Sequence, residues 1–253
     1  MKMPTALQFI GLLLAVGVVA LLLVARGSAT GWQTASHEPV GLAPDPAVTP
    51  EAVVQVYAAR AWGWRGYFGV HTWVAVKPAG AATYTVYEVI GWRLRHAGTA
   101  LAIRNRAPDE RWYGNAPELL ADMRGPGAGA LIERIDKAAH DYPYASEYSA
   151  WPGPNSNTFT AWIARAVPEL KVDLPPTAIG KDFLGDRFLA TAPSGSGLQL
   201  SLLGVLGVTA SGVEGLEINV LGLTFGVDLF PPEIKLPIVG RLGPAQALES
   251  GNR

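Results

Sequence analysis

Residues 151–159 read Trp-Pro-Gly-Pro-Asn-Ser-Asn-Thr-Phe and predict a rigid turn that leads into a helix. The two prolines restrict the backbone before the helix, and Asn155, Ser156 and Asn157 are all residue types that cap helix N-termini. Apolar residues then recur at helical spacing up to Pro168, which ends the segment. The stretch therefore predicts an apolar-faced helix with small polar side chains in its first turn.

Two interpretations of Ser156 follow from its position. At the positive end of a helix dipole, beside free backbone N–H groups, negative charge developing on Ser156 or on a bound substrate would be stabilised, as a nucleophile requires. A serine at the start of a helix is more often only an N-cap. The residue pattern alone favours the capping role.

Two predicted strands upstream, at residues 70–76 and 83–90, carry His71 and Glu88. Glu88 shares its strand face with apolar side chains, and a buried carboxylate needs a partner. His71 is one candidate, in which case Glu88 would orient the imidazole ring. The alternative partners are Arg93 and Arg95.

The order of these features resembles a known fold. A strand-borne histidine, followed much later by Asn, a small nucleophile, two residues and Phe at a helix start, resembles the circularly permuted papain-like fold of the NlpC type and of the lecithin retinol acyltransferase group. In those families the nucleophile is a cysteine, and the matching position here is Ser156, between Asn155 and Phe159. The resemblance implies Ser156 as nucleophile, His71 as base and Glu88 as orienting group. Because a hydroxyl is far less acidic than a thiol, such a site would depend on His71 and on an oxyanion pocket.

Further motifs extend over most of the chain. They lie at residues 69–73, 87–92, 112–115, 142–144, 151–159 and 174–182. Together they resemble an uncharacterised bacterial membrane-associated family, domain of unknown function 3750. The resemblance spans about residues 50 to 243 and implies no particular activity.

Composition narrows the classes of partner and cofactor. The chain has 253 residues, a formal net charge of −1 and no cysteine, so nothing suggests nucleic acid as a partner, disulfides or thiol chemistry. The four histidines show no metal-ligand spacing, and no Gly-rich turn precedes Lys-Ser or Lys-Thr, so neither a metal nor a cofactor is expected. The residues expected to contact a substrate are Asn155, Asn157, Trp151 and Tyr144.

Residues 6–25 form an apolar run long enough to cross ~30 Å of hydrocarbon. We predict an uncleaved transmembrane helix, because the apolar region of a signal peptide is usually about 7–15 residues long. The alternative is a cleaved signal peptide, with the small residues 27–29 at its cleavage site. Lys2 precedes the run and only Arg26 follows it closely, which places the rest of the chain on the periplasmic or outer side of a bacterial inner membrane. Membrane lipid is therefore an expected partner.

Changes in composition divide the chain into four segments. Residues 1–26 are the anchor, and 27–49 form a flexible tether rich in Ser, Thr, Gly, Ala and Pro. Residues 50–185 form the papain-like core, and 186–253 form a β-rich unit interrupted by glycines, with a C-terminal tail.

The predicted fold class is α+β, an antiparallel sheet packed on helices. A helix is expected to begin at Thr49-Pro50-Glu51, and a third strand is expected at residues 92–96. Further helices are expected from Asn115 to about Gly125, from Gly129 to Asp141 and after Asn155.

These observations predict a membrane-anchored envelope protein. The expected activity is a serine-dependent hydrolase or acyltransferase acting on an envelope substrate such as peptidoglycan peptide or lipid. The alternative is a non-catalytic envelope protein that keeps the cleft for binding. A Ser156 oxygen within hydrogen-bond reach of a His71 ring nitrogen would favour the enzyme, and a buried or distant pair would favour the binding protein.

Overall fold

A computed structural model describes residues 31–243. The predicted membrane segment at residues 6–25 lies outside this range. Between residues 31 and 243, no helix combines the length and apolar character needed to span a bilayer. The described chain is a mixed α/β protein with two antiparallel sheets and few helices.

The first sheet has five antiparallel strands in the order β4-β3-β2-β1-β5. The strands are β1 (Val53–Arg60), β2 (Val70–Lys77), β3 (Thr85–Val89), β4 (Leu101–Asn105) and β5 (Glu118–Arg124). Strands β1 and β2 lie at the centre, and nearly all their side chains are buried. The sheet is therefore covered on both faces.

Three of the predicted elements are wrong. The helix expected from Thr49 is strand β1, because the β-branched and aromatic run Val-Val-Gln-Val-Tyr fits a fully buried central strand and overrides the helix-start signals before it. The helix expected from Asn115 contains the edge strand β5. The third strand expected at residues 92–96 is helical: a 3₁₀ turn at Gly91–Arg93 continues into α1 (Leu94–Ala97).

Helices α2 (Pro126–His140) and α3 (Ser156–Ala166) pack on one face of the first sheet. Two further 3₁₀ turns lie at Gly63–Tyr67 and Pro168–Leu170. The core on this face joins strand side chains such as Val56 and Val74 to Ile135 of α2 and Phe159 of α3. We call this side the helix face of the sheet.

The opposite face of the sheet is covered by residues 36–44, which the sequence predicts to be part of a flexible tether. We call this segment the strap and the face that it covers the strap face. The Gly114 N–H donates to the Ser36 carbonyl (2.8 Å), and the Leu42 N–H donates to Asp109 Oδ2 (2.6 Å). The Tyr84 hydroxyl donates to the Pro44 carbonyl (2.9 Å). Residues 36–44 are thus fastened along the sheet because their backbone groups find partners there.

The second sheet is a meander of seven antiparallel strands in sequence order. The strands are β6 (Leu189–Thr191), β7 (Gly197–Leu202), β8 (Leu206–Ser211), β9 (Gly215–Val220), β10 (Leu223–Leu229), β11 (Pro232–Leu236) and β12 (Gly240–Leu242). Burial alternates along these strands, and the buried positions are mainly polar.

Buried charges join this meander to the rest of the molecule. Lys181 Nζ bonds to Glu217 of β9, and Lys235 Nζ of β11 donates to Asp173 Oδ2 (2.7 Å) and to Glu217 Oε1 (3.2 Å). Asp182 accepts from the side chain of Asn219 (2.9 Å). Polar side chains on the inward face of the meander therefore form hydrogen bonds and ion pairs with residues 173–182.

Candidate functional site

His71 and Glu88 form a hydrogen-bonded pair on the strap face. His71 Nε2 lies 3.0 Å from Glu88 Oε2, and both side chains are buried. The other carboxylate oxygen accepts from Arg104 Nη2 (2.8 Å) and lies 3.4 Å from Arg106 Nε. Because an ionised carboxylate only accepts, the His71 ring must carry its proton on Nε2.

Burial and charge act in opposite directions on this pair. Burial alone would raise the pKa of Glu88, but the hydrogen bond from His71 and the charges of Arg106 and Arg104 lower it to about 2. Burial lowers the pKa of His71 and outweighs the raising effect of Glu88. At neutral pH the pair is therefore an anionic carboxylate and a neutral imidazole.

A pocket of about 350 Å³ opens beside this pair. Its lining residues are His37, Ile90, Trp92, Arg93, Arg104, Arg106, Glu110, Arg111, Trp112 and Tyr113. Trp112 stacks on the His71 ring, with centroids 3.6 Å apart and 13° between the planes. Trp92 stacks on Trp112 (5.8 Å), and Tyr113 meets both rings edge-on. The pocket thus has aromatic walls that rest on His71.

Guanidinium groups dominate the charge of the pocket. Four arginines line it, against one lining carboxylate, Glu110, and the buried Glu88 below. Within residues 31–243, Arg93 and Arg111 form no ion pair, and Arg93 Nε is buried without a hydrogen-bond partner. The pocket therefore carries a net positive charge and retains donors that its own carboxylates do not satisfy.

The pocket wall also contains strained backbone. Tyr113 has a φ of +48°, a left-handed conformation that is uncommon for a residue other than glycine. Its ring meets His37 edge-on at 4.8 Å, so the strap closes one side of the pocket. Strain of this kind persists only where the surroundings fix it, and it often marks a functional site.

Ser156 lies on the other side of the sheet from His71. Thr72 Oγ1 donates to the Ser156 carbonyl (3.2 Å) and to Asn157 Oδ1 (3.0 Å), so Thr72 faces helix α3. Successive strand residues point to opposite faces, so the neighbouring His71 points away from α3. Ser156 is the first residue of α3. Within the described range no hydrogen bond joins it to His71, whose ring bonds to Glu88 instead. The structure brings His71 and Glu88 together, but it does not bring Ser156 to them.

Asn155 and Asn157 are occupied by hydrogen bonds within the protein. Asn155 is the N-cap of α3: its Oδ1 accepts from the N–H groups of Asn157 and Thr158, and Thr158 Oγ1 accepts from the Asn155 N–H in return. Asn157 Nδ2 donates to the carbonyls of Val70 and Ile179. Both side chains therefore hold α3 against its surroundings.

Close packing at residue 180 depends on glycine. Gly180 has a φ of +96°, and a Cβ there would lie within 3 Å of the Asn155 amide. The glycine thus allows the N-cap side chain to reach the Ile179 carbonyl (3.0 Å).

Trp151 and Tyr144, the other expected substrate contacts, lie outside the arginine pocket. Trp151 is half exposed, and its Nε1–H donates to the Leu221 carbonyl (2.8 Å) of the meander. The Tyr144 ring meets Tyr142 and Phe183 edge-on, each at 5.6 Å. Both side chains have structural partners.

The arginines that bind Glu88 differ from those that the sequence predicts. Arg93 and Arg95 were the expected alternative partners, whereas Arg104 and Arg106 make the contacts. Strand parity is the signal that could have found Arg104, because in the β3–β4 pairing Arg104 is opposite Val86, on the face of Glu88. Among the described residues, no group of three or more His, Cys, Asp or Glu side chains could hold a metal ion.

These features define a mixed α/β protein with two antiparallel sheets and an arginine-lined pocket on one of them. The family model described as "Protein of unknown function (DUF3750)" matches residues 51–183, more than half of the chain, and the chain belongs to this family. Comparison with curated proteins and with solved structures finds no match. The matched range includes His71, Glu88 and the four pocket arginines.

Proposed function

We propose that this chain is a non-catalytic, membrane-anchored binding protein of the cell envelope, and that its arginine-lined pocket binds an anionic group of an envelope component. One observation carries the proposal: four guanidinium groups line a pocket of about 350 Å³, and two of them have no carboxylate partner among residues 31–243. Guanidinium groups match carboxylate and phosphate oxygens in geometry as well as in charge.

The arginines divide into two groups with different tasks. Arg104 and Arg106 neutralise the buried Glu88 and so support the floor of the pocket. Arg93 and Arg111 remain for a ligand, and the buried Arg93 Nε lacks any partner. A ligand acid would supply the missing acceptor, which is worth about 1.5–3 kcal/mol for a hydrogen bond to a charged group.

The aromatic walls favour a ligand that also has a flat or ring-shaped part. Trp92 is about half exposed at the pocket and stacks on the Trp112–His71 pair. Such faces suit sugar rings as well as apolar groups. A peptidoglycan fragment, which joins sugar rings to peptide carboxylates, combines both features.

The position of Ser156 argues against the serine-dependent activity. A nucleophile and its base must lie within hydrogen-bond reach, and the sheet separates Ser156 from the His71 ring. The papain-like relationship stays part of the proposal, supported by an antiparallel sheet packed on a helix that begins at Ser156. The membrane anchor is likewise proposed, from the length and apolar character of residues 6–25.

The test is a titration of the full-length protein in detergent with a soluble muropeptide. Binding is measured by the change in tryptophan fluorescence. Arg93→Gln should weaken binding about tenfold or more, because tenfold corresponds to about 1.4 kcal/mol. Arg95→Gln is the matched control: it removes the same charge two residues away, at an exposed position outside the pocket lining, and should leave affinity unchanged.

Two results would contradict the proposal. One is equal affinity of the Arg93→Gln variant and the parent protein. The other is mass-spectrometric detection of cleaved or acyl-transferred muropeptide that disappears with Ser156→Ala, which would restore the enzyme interpretation.

A further inference from the structure

The outward face of the seven-stranded meander is apolar and exposed. Residues that alternate with the buried polar ones point away from the body of the protein. They include Leu198, Leu200, Val208, Ile218, Phe225 and Val227, each at least 41% exposed. We call this surface the outer meander face.

This polarity is the reverse of what is usual for a sheet that is packed on one side. Such a sheet normally turns apolar residues inward and polar residues to water. Here the inward positions include Gln199, Glu217 and Lys235, which bond to Asp182, Lys181 and Asp173. Those bonds fix the register, because a slip of one residue would bury the apolar set and expose the polar one.

The outer meander face is large and carries no charge. Strands about 4.8 Å apart with a rise of about 3.3 Å per residue give a seven-stranded face of roughly 30 Å by 20 Å, or ~600 Å². The largest apolar patch on a typical monomer is about 300–600 Å² and is often functional. Along β7 to β10 the outward positions are aliphatic or aromatic, while the acidic Glu217 and Asp228 alternate with them.

The length of chain between the apolar run and the first fixed residue restricts where this face can lie. Residues 26–35 separate that run from Ser36, whose carbonyl is held by Gly114. Ten residues span at most about 35 Å. A membrane anchor at residues 6–25 would therefore keep Ser36 within about 35 Å of the bilayer, and an uncharged apolar face is the side of the body that lipid favours.

The rim of the outer meander face has groups typical of a membrane interface. Phe230, in the turn between β10 and β11, is 89% exposed. Arg187, shortly before β6 at one edge of the sheet, is also exposed. Interfacial segments typically bury Phe side chains at the boundary between headgroups and acyl chains and turn Lys or Arg toward the headgroups.

We infer that the outer meander face lies on the lipid bilayer, with its apolar side chains at the boundary between headgroups and acyl chains. This inference rests on the membrane anchoring in the proposed function. It adds a second membrane contact, made by the described body of the protein itself.

The absence of cysteine allows a direct test with single spin labels. Ile218→Cys places a nitroxide on β9 in the middle of the outer meander face, and Lys137→Cys places one on α2, where the side chain is 77% exposed. Each full-length labelled protein is reconstituted into phosphatidylcholine–phosphatidylglycerol vesicles. Collision of the nitroxide with lipid-soluble oxygen and with a water-soluble nickel chelate is then measured.

At Ile218 the ratio of oxygen to nickel accessibility should be several-fold higher than at Lys137. High nickel accessibility at both positions would overturn the inference. Low accessibility to both reagents at Ile218 would also overturn it, because protein would then cover the face, and spin–spin broadening would identify a second copy of the chain.

Flotation of the vesicles separates this inference from the proposed anchoring. If the protein does not float with the vesicles, the anchoring fails and the inference fails with it. If the protein floats while the Ile218 label stays open to nickel, only the inference fails.

Discussion

Replacement of Glu88 by glutamine should lower the free energy of unfolding by about 3 kcal/mol at pH 7. Glu88 is fully buried and holds His71 and Arg104 at 3.0 and 2.8 Å. Its pKa is lowered from 4.5 to about 2. Because each pKa unit corresponds to about 1.4 kcal/mol, the difference between the folded and the unfolded pKa corresponds to about 3 kcal/mol.

The same shift fixes the pH range of the effect. In the unfolded chain Glu88 takes up its proton near pH 4.5, whereas in the folded chain it does so only near pH 2. Its contribution to stability is therefore complete above about pH 5 and is lost as the pH falls through the folded pKa. Glutamine does not titrate, so the difference in stability between the parent protein and the variant should shrink between pH 5 and pH 2.

The assay is urea unfolding of the full-length protein in mild detergent, followed by tryptophan fluorescence at several pH values from 7 to 2.5. Glu133→Gln, at an exposed position on α2, is the matched control and should change stability by less than about 0.5 kcal/mol. A difference between parent and Glu88→Gln that stays constant down to pH 2.5 would refute the reasoning, because Glu88 would then not be held ionised by its partners.

Three further predictions use the same unfolding assay. Burial lowers the pKa of His71, so its neutral form stabilises the fold above the ordinary value of 6.5 and that stability is lost as the pH falls; His71→Gln should flatten the profile between pH 7 and 5, and an unchanged slope would contradict this. Ser156→Ala should cost less than about 0.5 kcal/mol, whereas Asn155→Ala should cost about 1–2 kcal/mol, because Asn155 supplies the cap; the reverse order would return the cap to Ser156. Lys181→Met should cost about 3–5 kcal/mol by leaving Glu217 with one cation instead of two, and a neutral effect would mean that Lys235 alone satisfies that carboxylate.

Local signals in the sequence were sufficient for some elements. The caps at residues 155–157 and the proline at 168 predicted helix α3, which runs from Ser156 to Ala166. Alternating apolar residues predicted strands β2 and β3 with boundaries within a few residues. In each case the deciding interactions lie within one turn or one strand.

Strand β1 and the position of Ser156 required information that is not local. The Thr49-Pro50-Glu51 sequence has helix-start chemistry, but the pairing of β1 with both β2 and β5 decides its conformation. The relation of His71 to Ser156 depends on which face of β2 receives α3. In the structure the face of Thr72 receives the helix, so the face of His71 does not. The residue pattern of one strand does not reveal which of its two faces will be the one.

The buried ion pairs of Lys181 have a consequence for how the molecule can be divided. The family match ends at residue 183, yet the carboxylate that neutralises Lys181 comes from Glu217, and Lys235 shares it. A polypeptide ended at the family boundary would keep the Lys181 ammonium group and lose the carboxylate that is bonded to it. We therefore expect that the two sheets can be moved into another protein only together. For the same reason we expect substitutions at residues 181 and 217 to occur together in related chains.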